Sequence, residues 1–300
     1  MSNPVTVKLD IFDRVQDIKL SDRIKNSCEY TLETYYEYLD DLKNLVDKEG
    51  FSSDIQDAFL LRMKLADIRE NHLIEEEDSL LIDIYNCLNG PNVTDELIKR
   101  NGEKFSVDDL KRYHRILLQG TSSDEGLSEY VRTNNEAFVG TYNIDGSKNI
   151  EYMPLDYNEI TQALDLLTNF YNDNRIQNEN DVLIKPFLFH ALVACLQLFR
   201  DGNTRFGRVL QHAKIWNLTN QYNAQMNNGK IQLKMPALYL TKPYKLYRKQ
   251  YRQIIASLVT NNHDEDWNNW LLFNLLRTDE ALNKANNDLQ HLHKIHKRSL

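Results

Sequence analysis

The chain has 300 residues, with 36 Lys and Arg against 44 Asp and Glu, and a formal net charge of −8. A pI near 5.5 and a mean hydropathy of −0.58 argue against broad binding to a nucleic-acid backbone, which needs a concentrated basic face. They leave little room for a membrane span. The longest nearly apolar stretch, Phe187 to Leu196, carries His190 and falls well short of the roughly 20 residues a span requires.

Such a length holds one large domain or two modest ones and can bury a full hydrophobic core. The first thirty residues mix charge with apolar side chains and show no apolar h-region, so no secretory signal is expected. Cys28, Cys87 and Cys195 form no CxxC and are odd in number, which reads as buried thiols in a reducing, cytoplasmic compartment. Ten Gly and six Pro are few, and that scarcity favours helices over a turn-rich β architecture.

In chain order, Leu39, Leu42, Leu45 and Val46 repeat at helical spacing, as do Phe59, Leu60, Met63 and Ile68, then Leu80, Leu81, Ile84 and Leu88. Asn89-Gly90-Pro91 predicts a helix stop, with a short helix from Thr94 to Gly102. Ser106-Val-Asp-Asp109 predicts a capped start, with Leu110, Tyr113, Ile116 and Leu117 on one face as far as Gly120. The runs Glu136–Tyr142 and Asn149–Tyr152 are β-prone and flank Asn143-Ile-Asp-Gly146, which predicts one hairpin.

Helices resume from Ile160 to Tyr171, from Ile184 to about Leu198 and from Arg205 to about Leu218. The Asn-rich stretch from Asn217 to Lys230 reads as a loop. Further helices are expected around Ile254–Val259, Trp267–Leu276 and Ala281–Ile295. Trp267, Trp270 and Phe273, and the tyrosines from Tyr239 to Tyr251, are spaced as packing residues. His291, His293 and His296 lie on a basic terminal helix and read as a solvated helix end rather than a metal site. The fold class is therefore all-α with one short hairpin.

One segment stands apart: Phe199-Arg-Asp-Gly-Asn-Thr-Arg-Phe-Gly-Arg208. A Gly/Asn turn feeding a helix start directs backbone N–H groups and the positive end of the helix dipole toward one spot. Arg205 and Arg208 are three residues apart on that helix's first turns. Asp201 adds a carboxylate that can hold Mg²⁺ while the turn holds phosphate oxygens. The pattern suits a polyphosphate, and without a Walker lysine it is no P-loop. The plain alternative is a helix–turn–helix with two solvated arginines.

The segment resembles the Fic (Fido) signature H-x-F-x-D/E-G-N-x-R-x-x-R, with Phe199, Asp201, Gly202, Asn203, Arg205 and Arg208 matching. The likeness extends further. Tyr113-His-Arg-Ile-Leu-Leu and Arg132 resemble the helix and loop before that family's flap. Asn135–Val139, Gly146 and Tyr152-Met-Pro154 resemble the flap itself. Leu238-Tyr239-Leu240, the Tyr251 helix and Asp266-Trp-Asn-Asn-Trp270 resemble the helices after the core. The resemblance implies a helical fold with a hairpin flap and three regions: 1–103 N-terminal, 104–230 the core, 231–300 the C-terminal helices. It implies AMP transfer from Mg·ATP to a Ser, Thr or Tyr hydroxyl of a protein docked at the flap, residues 135–153. Asp201 would hold Mg²⁺, Gly202 and Asn203 the anion nest, Arg205 and Arg208 the β- and γ-phosphates, and Phe199 would anchor the loop. Neither a membrane nor a nucleic acid is an expected partner, and a homo-oligomer is left open.

The departure from the pattern is Gln197, which stands where the family has its catalytic His. An amide has no usable basicity at neutral pH, and general-base help is worth about 10²–10⁴ in rate. AMP transfer is therefore expected to be weakened or lost. The alternatives are a binding or regulatory module without catalysis and a different group transfer in the same pocket. His190 lies two turns earlier, about 10 Å away at ~1.5 Å per residue, and reads as a core histidine. Upstream, Asn71-His-Leu-Ile-Glu75-Glu76 partly resembles the family's inhibitory motif (S/T)xxxE(G/N). That likeness implies that Glu75 clamps Arg208 through a charge-assisted contact.

Overall fold

The computed structural model describes residues 4–47, 53–75, 84–100, 103–121, 130–226 and 233–299. The N-terminal part holds α1 (Ile11–Gln16), α2 (Asp22–Asp47), α3 (Ser53–Glu75) and α4 (Ile84–Lys99). Then come α5 (Val107–Leu118), strands β1 (Val139–Tyr142) and β2 (Lys148–Tyr152), α6 (Ile160–Asn172), α7 (Asp181–Leu196) and α8 (Asn203–Met226). The chain finishes with α9 (Thr241–Leu246), α10 (Arg248–Thr260) and α11 (Asp264–Ser299). The all-α expectation with one hairpin holds among the described residues.

The architecture is organised around α7. Its run from Val182 to Leu196 is buried at every position except Lys185, which is what a helix apolar on all sides requires. It is wrapped by α8, α10, α6, α11 and α1. Trp270 of α11 donates its indole N–H to the Phe187 carbonyl at 2.9 Å, and the Trp267 and Trp270 rings are fully buried. α5 starts where the sequence predicts. Ser106 Oγ accepts from Asp109 N at 3.0 Å while the Asp109 carboxylate accepts from Ser106 N at 2.9 Å, a reciprocal capping box.

Three sequence expectations differ from the structure. The stop at Asn89-Gly90-Pro91 does not occur, because α4 runs through it. Asn89 is buried and spends its amide on the end of α5, donating to Leu117 O at 3.1 Å and Gln119 O at 2.7 Å. Pro91 forgoes one helix bond, which the burial of Val93 and Leu97 against neighbouring helices offsets. The predicted loop at Asn217 instead continues α8 to Met226. Its polar side chains tie down other loops: Asn220 Nδ2 donates to Leu233 O at 3.0 Å and Gln221 Nε2 to Asn174 O at 2.9 Å. Finally, the two C-terminal helices are one, α11. No Gly or Pro separates them, and Thr278 bonds back to Asn274 O at 2.9 Å within the helix.

The hairpin is anchored on the two sides where the chain enters and leaves it. The N-terminal segment pairs with the end of β2, through Val7 N to Met153 O at 3.0 Å and Met153 N to Val5 O at 2.8 Å. Residues 130–132 pair with the loop after α7, through Arg132 N to Leu198 O at 3.1 Å and Arg200 N to Tyr130 O at 2.8 Å. Cys28 and Cys195 are buried free thiols; the Cys87 side chain lies outside the described residues. No helix among the described residues is long and apolar enough to cross a membrane.

Candidate active site

The turn between α7 and α8 is built by its own side chains. Gln197 ends α7 with φ 49° and ψ 52°, a left-handed conformation uncommon for a non-glycine residue. Its amide Nε2 donates to Ala194 O at 2.7 Å, satisfying a carbonyl that the end of α7 leaves over. Two residues on, Phe199 is locked by Asn203, whose Oδ1 accepts from Phe199 N at 2.9 Å and whose Nδ2 donates to Phe199 O at 2.8 Å. Gly202 has φ +71°, and a Cβ there would stand 2.9 Å from Leu118 Cδ2. The turn therefore requires glycine both for conformation and for its closeness to α5.

Asp201 receives two supports. Its Oδ1 accepts from Gly202 N at 2.6 Å, and its carbonyl lies 2.8 Å from His114 Nε2 on α5. A carbonyl only accepts, so Nε2 carries the imidazole proton. The His114 ring is fully buried and stacks on Phe199, with centroids 3.8 Å apart and 9° between planes. Burial pushes His114 down to about 4, helped by the charge of Arg205 and opposed by the contacts with Asp201.

Above this turn lies a cleft of about 400 Å³ between the hairpin and α10. Its floor is Gln197, Asp201, Gly202, Asn203 and Thr204; Arg208 enters from α8; Arg248, Tyr251 and Arg252 line it from α10; and Val139, Gly140 and Glu151 line it from the hairpin. The first N–H groups of α8 have no acceptor inside the helix, and they sit in this floor with the dipole behind them. Arg208 is fully buried. Of the motif residues, Gln197, Asp201, Gly202, Asn203 and Arg208 line one cleft. Arg205 is buried toward His114 and is not part of the cleft lining. The Asn203 side chain closes the turn on Phe199.

Residues 104–213 match the family model described as Fic/DOC family. The chain carries a Fic domain. Similar folds occur in a Fic family protein from Desulfovibrio desulfuricans G20 (14% identity, 90% of this chain and 76% of that one, TM-score 0.56) and in a Fic domain containing signaling protein from Bacteroides thetaiotaomicron VPI-5482 (13%, 87% and 97%, TM-score 0.59). Fic-1 from C. elegans, residues 134–508, is also similar (12%, 89% and 74%, TM-score 0.52). At these identities the likeness establishes the fold.

Within the Fic domain, Arg132 joins the hairpin to the turn. Its Nε donates to Gln197 O at 2.5 Å, Nη2 to Leu155 O at 2.5 Å and Nη1 to Asn134 O at 3.1 Å. Three carbonyls surround a nearly buried guanidinium, which suits a charge that needs its N–H groups satisfied. His190 is the core histidine the sequence suggests. It is fully buried, bonded through Nε2 to Tyr251 Oη at 2.9 Å, and kept neutral by burial and by Arg208 nearby. His212 accepts the Leu240 backbone N–H at Nε2 (3.0 Å) and turns Nδ1 toward Asp67 at 3.7 Å. No histidine lines the cleft among the described residues.

Sequence reasoning missed Arg248, Arg252 and Glu151 as cleft residues. Arg248 and Arg252 are spaced i, i+4 on the Tyr-rich helix read only as packing. Gly140 inside a β-prone run was the available signal for an irregular strand. Glu75 ends α3, and its side chain lies outside the described residues, as do those of His72 and Glu77.

Two outcomes are expected from this geometry. Asn203→Ala removes both clamps on Phe199 and leaves its buried N–H unsatisfied, so unfolding free energy should drop by about 2–3 kcal/mol in urea titration. The second concerns pH. The folded state refuses a proton at His114 that the unfolded chain accepts near 6.5. Stability is therefore full above pH 6.5 and lost as pH falls toward about 4, by roughly 3 kcal/mol from this residue. Urea midpoints at pH 7.5 and 5 should show the loss, and His114→Gln, which keeps a donor toward Asp201, should reduce it.

Proposed function

We propose that the chain is a Fic-type nucleotidyl transferase of attenuated rate, which binds a Mg²⁺–nucleoside triphosphate in the cleft and moves the nucleoside monophosphate to a protein hydroxyl. The observation that carries this reading is the convergence of Asp201, the α8 N-terminus and Arg208 on one cleft floor, beneath a hairpin. A single carboxylate fits Mg²⁺, which is commonly held by one or two carboxylates together with substrate phosphates and waters. Bound there, the ion supplies charge neutralisation on the phosphates.

The chain's own residues then have distinct tasks. Asp201, kept in place by Gly202 N–H and His114, holds the cation. The first N–H groups of α8 bind phosphate oxygens. Arg208 balances the charge of the β- and γ-phosphates, and Arg205 adds to the potential from behind the wall. The hairpin offers its outer face to the target, whose Ser, Thr or Tyr hydroxyl attacks the α-phosphate. Gln197 stands beside that attack with its Nε2 already committed to Ala194 O, and cannot take the proton. That commitment also favours a second reading, a nucleotide-binding regulatory module without turnover.

Titration calorimetry with Mg·ATP tests binding, and Arg208→Ala should weaken it by about 2–3 kcal/mol. Failure to bind at millimolar ATP would reject the reading. Gln197→His should raise AMP transfer, by as much as about 10²–10⁴-fold where no other group takes the proton, and His is among the residues best tolerated at positive φ. A Gln197→His protein that binds ATP yet transfers nothing would favour the regulatory module. The inhibitory role of Glu75 rests on sequence: Glu75→Gly should tighten ATP binding while Glu77→Gly leaves it unchanged.

A further inference from the structure

The two strands of the hairpin do not pair evenly. Val139 faces Tyr152, but Gly140 faces Ile150, and Thr141 and Tyr142 continue opposite Asn149 and Lys148. One step on β1 therefore spans two on β2, and the residue passed over is Glu151. Such a bulge bends its strand and re-aims a side chain, and bulges are over-represented next to active sites. Gly140 makes it feasible. Its φ is +155°, and a Cβ at that position would stand 2.1 Å from the Asn149 carbonyl oxygen. The bulged Glu151 is exposed on its strand, yet it lines the cleft that Gln197 and Asp201 floor.

We propose that Glu151 is the catalytic base of this chain, in place of the histidine that Gln197 replaces; the proposal rests on the transferase reading above. The other candidates among the described residues are engaged elsewhere. Asp201 is held by Gly202 N–H at the cation position. His114, His190 and His212 are buried on Asp201 O, Tyr251 Oη and Leu240 N. Tyr152 is fully buried with its hydroxyl on Ala194 O. Glu151 is the remaining carboxylate among the described cleft residues, and carboxylates serve as acceptors for hydroxyl protons in phosphoryl transfer.

In the step, the acceptor oxygen bonds to the α-phosphorus and the bond from that phosphorus to the α–β bridging oxygen breaks. Pyrophosphate leaves with the electron pair. The acceptor's proton passes to the Glu151 carboxylate and then to water, so no further reagent is needed. The flap thereby brings the base together with the docked target.

The experiment uses the full chain with Mg²⁺ and ATP labelled at the α-phosphate, reading pyrophosphate release and label on protein, with ATP affinity by calorimetry on the same samples. Glu151→Gln should lower pyrophosphate release by about 10²–10⁴-fold while Mg·ATP affinity stays within about threefold. Adding Gln197→His to Glu151→Gln should restore turnover, because a base at either position suffices. Equal turnover in wild type and Glu151→Gln would overturn the proposal, as would wild-type protein that binds Mg·ATP and releases no pyrophosphate. A double variant as slow as Glu151→Gln would also overturn it. Absence of Mg·ATP binding would instead remove the transferase reading, and the proposal with it.

Discussion

A buried guanidinium holds the site together. Arg132 donates to carbonyls from three separate stretches: Gln197 at the end of α7, Leu155 after the hairpin, and Asn134 before it. Burial lowers its pKa while the nearby Asp156 carboxylate opposes that shift, and the carbonyls that meet the guanidinium on several sides satisfy its N–H groups. Together with Tyr152 Oη, which donates to Ala194 O at 3.2 Å, that contact fixes the hairpin's height above the α7–α8 turn, and the cleft lies between the two elements that Arg132 ties. Its backbone N–H, bonded to Leu198 O at 3.1 Å, adds a second tie to the same turn.

The turn below is fixed in a complementary way. Asn203 binds both backbone groups of Phe199, Phe199 stacks on His114, and His114 bonds the carbonyl of Asp201. Packing behind the cleft thus decides where the Asp201 carboxylate sits. Electrostatics has the same origin. Arg205 and Arg208 are buried cations at the start of α8, and they help to keep His114, His190 and His212 neutral. Buried cations that help to hold these three imidazoles neutral also favour an anion in the cleft.

Much of this was legible in the sequence because it is local. The Ser106 capping box, the Asn143–Gly146 turn and the Asp-Gly-Asn turn are short-range patterns with direct backbone consequences. The cleft floor was readable from them. What was not legible depended on distant partners. Asn89 and Pro91 look like a helix stop until α5 supplies the carbonyls that Asn89 bonds. The asparagines after Asn217 look like a loop until the segments near Asn174 and Leu233 receive their side chains. Glu151 lies in a run that reads only as β-prone, since pairing register is a property of two strands and shows only as a glycine in one of them.

The transferase proposal places a Mg²⁺–nucleotide in one cleft, floored by Gln197 and residues 201–204, entered by Arg208 and roofed by the hairpin. A crystal structure of the chain with Mg²⁺ and a non-hydrolysable ATP analogue tests it most directly. Phosphates are expected on the N–H groups that begin α8, a cation on Asp201, the terminal phosphate against Arg208, and the α-phosphate between Gln197 and Glu151. Nucleotide density elsewhere on the molecule, or phosphates in this cleft turned so that the α-phosphate faces away from both Gln197 and Glu151, would contradict it.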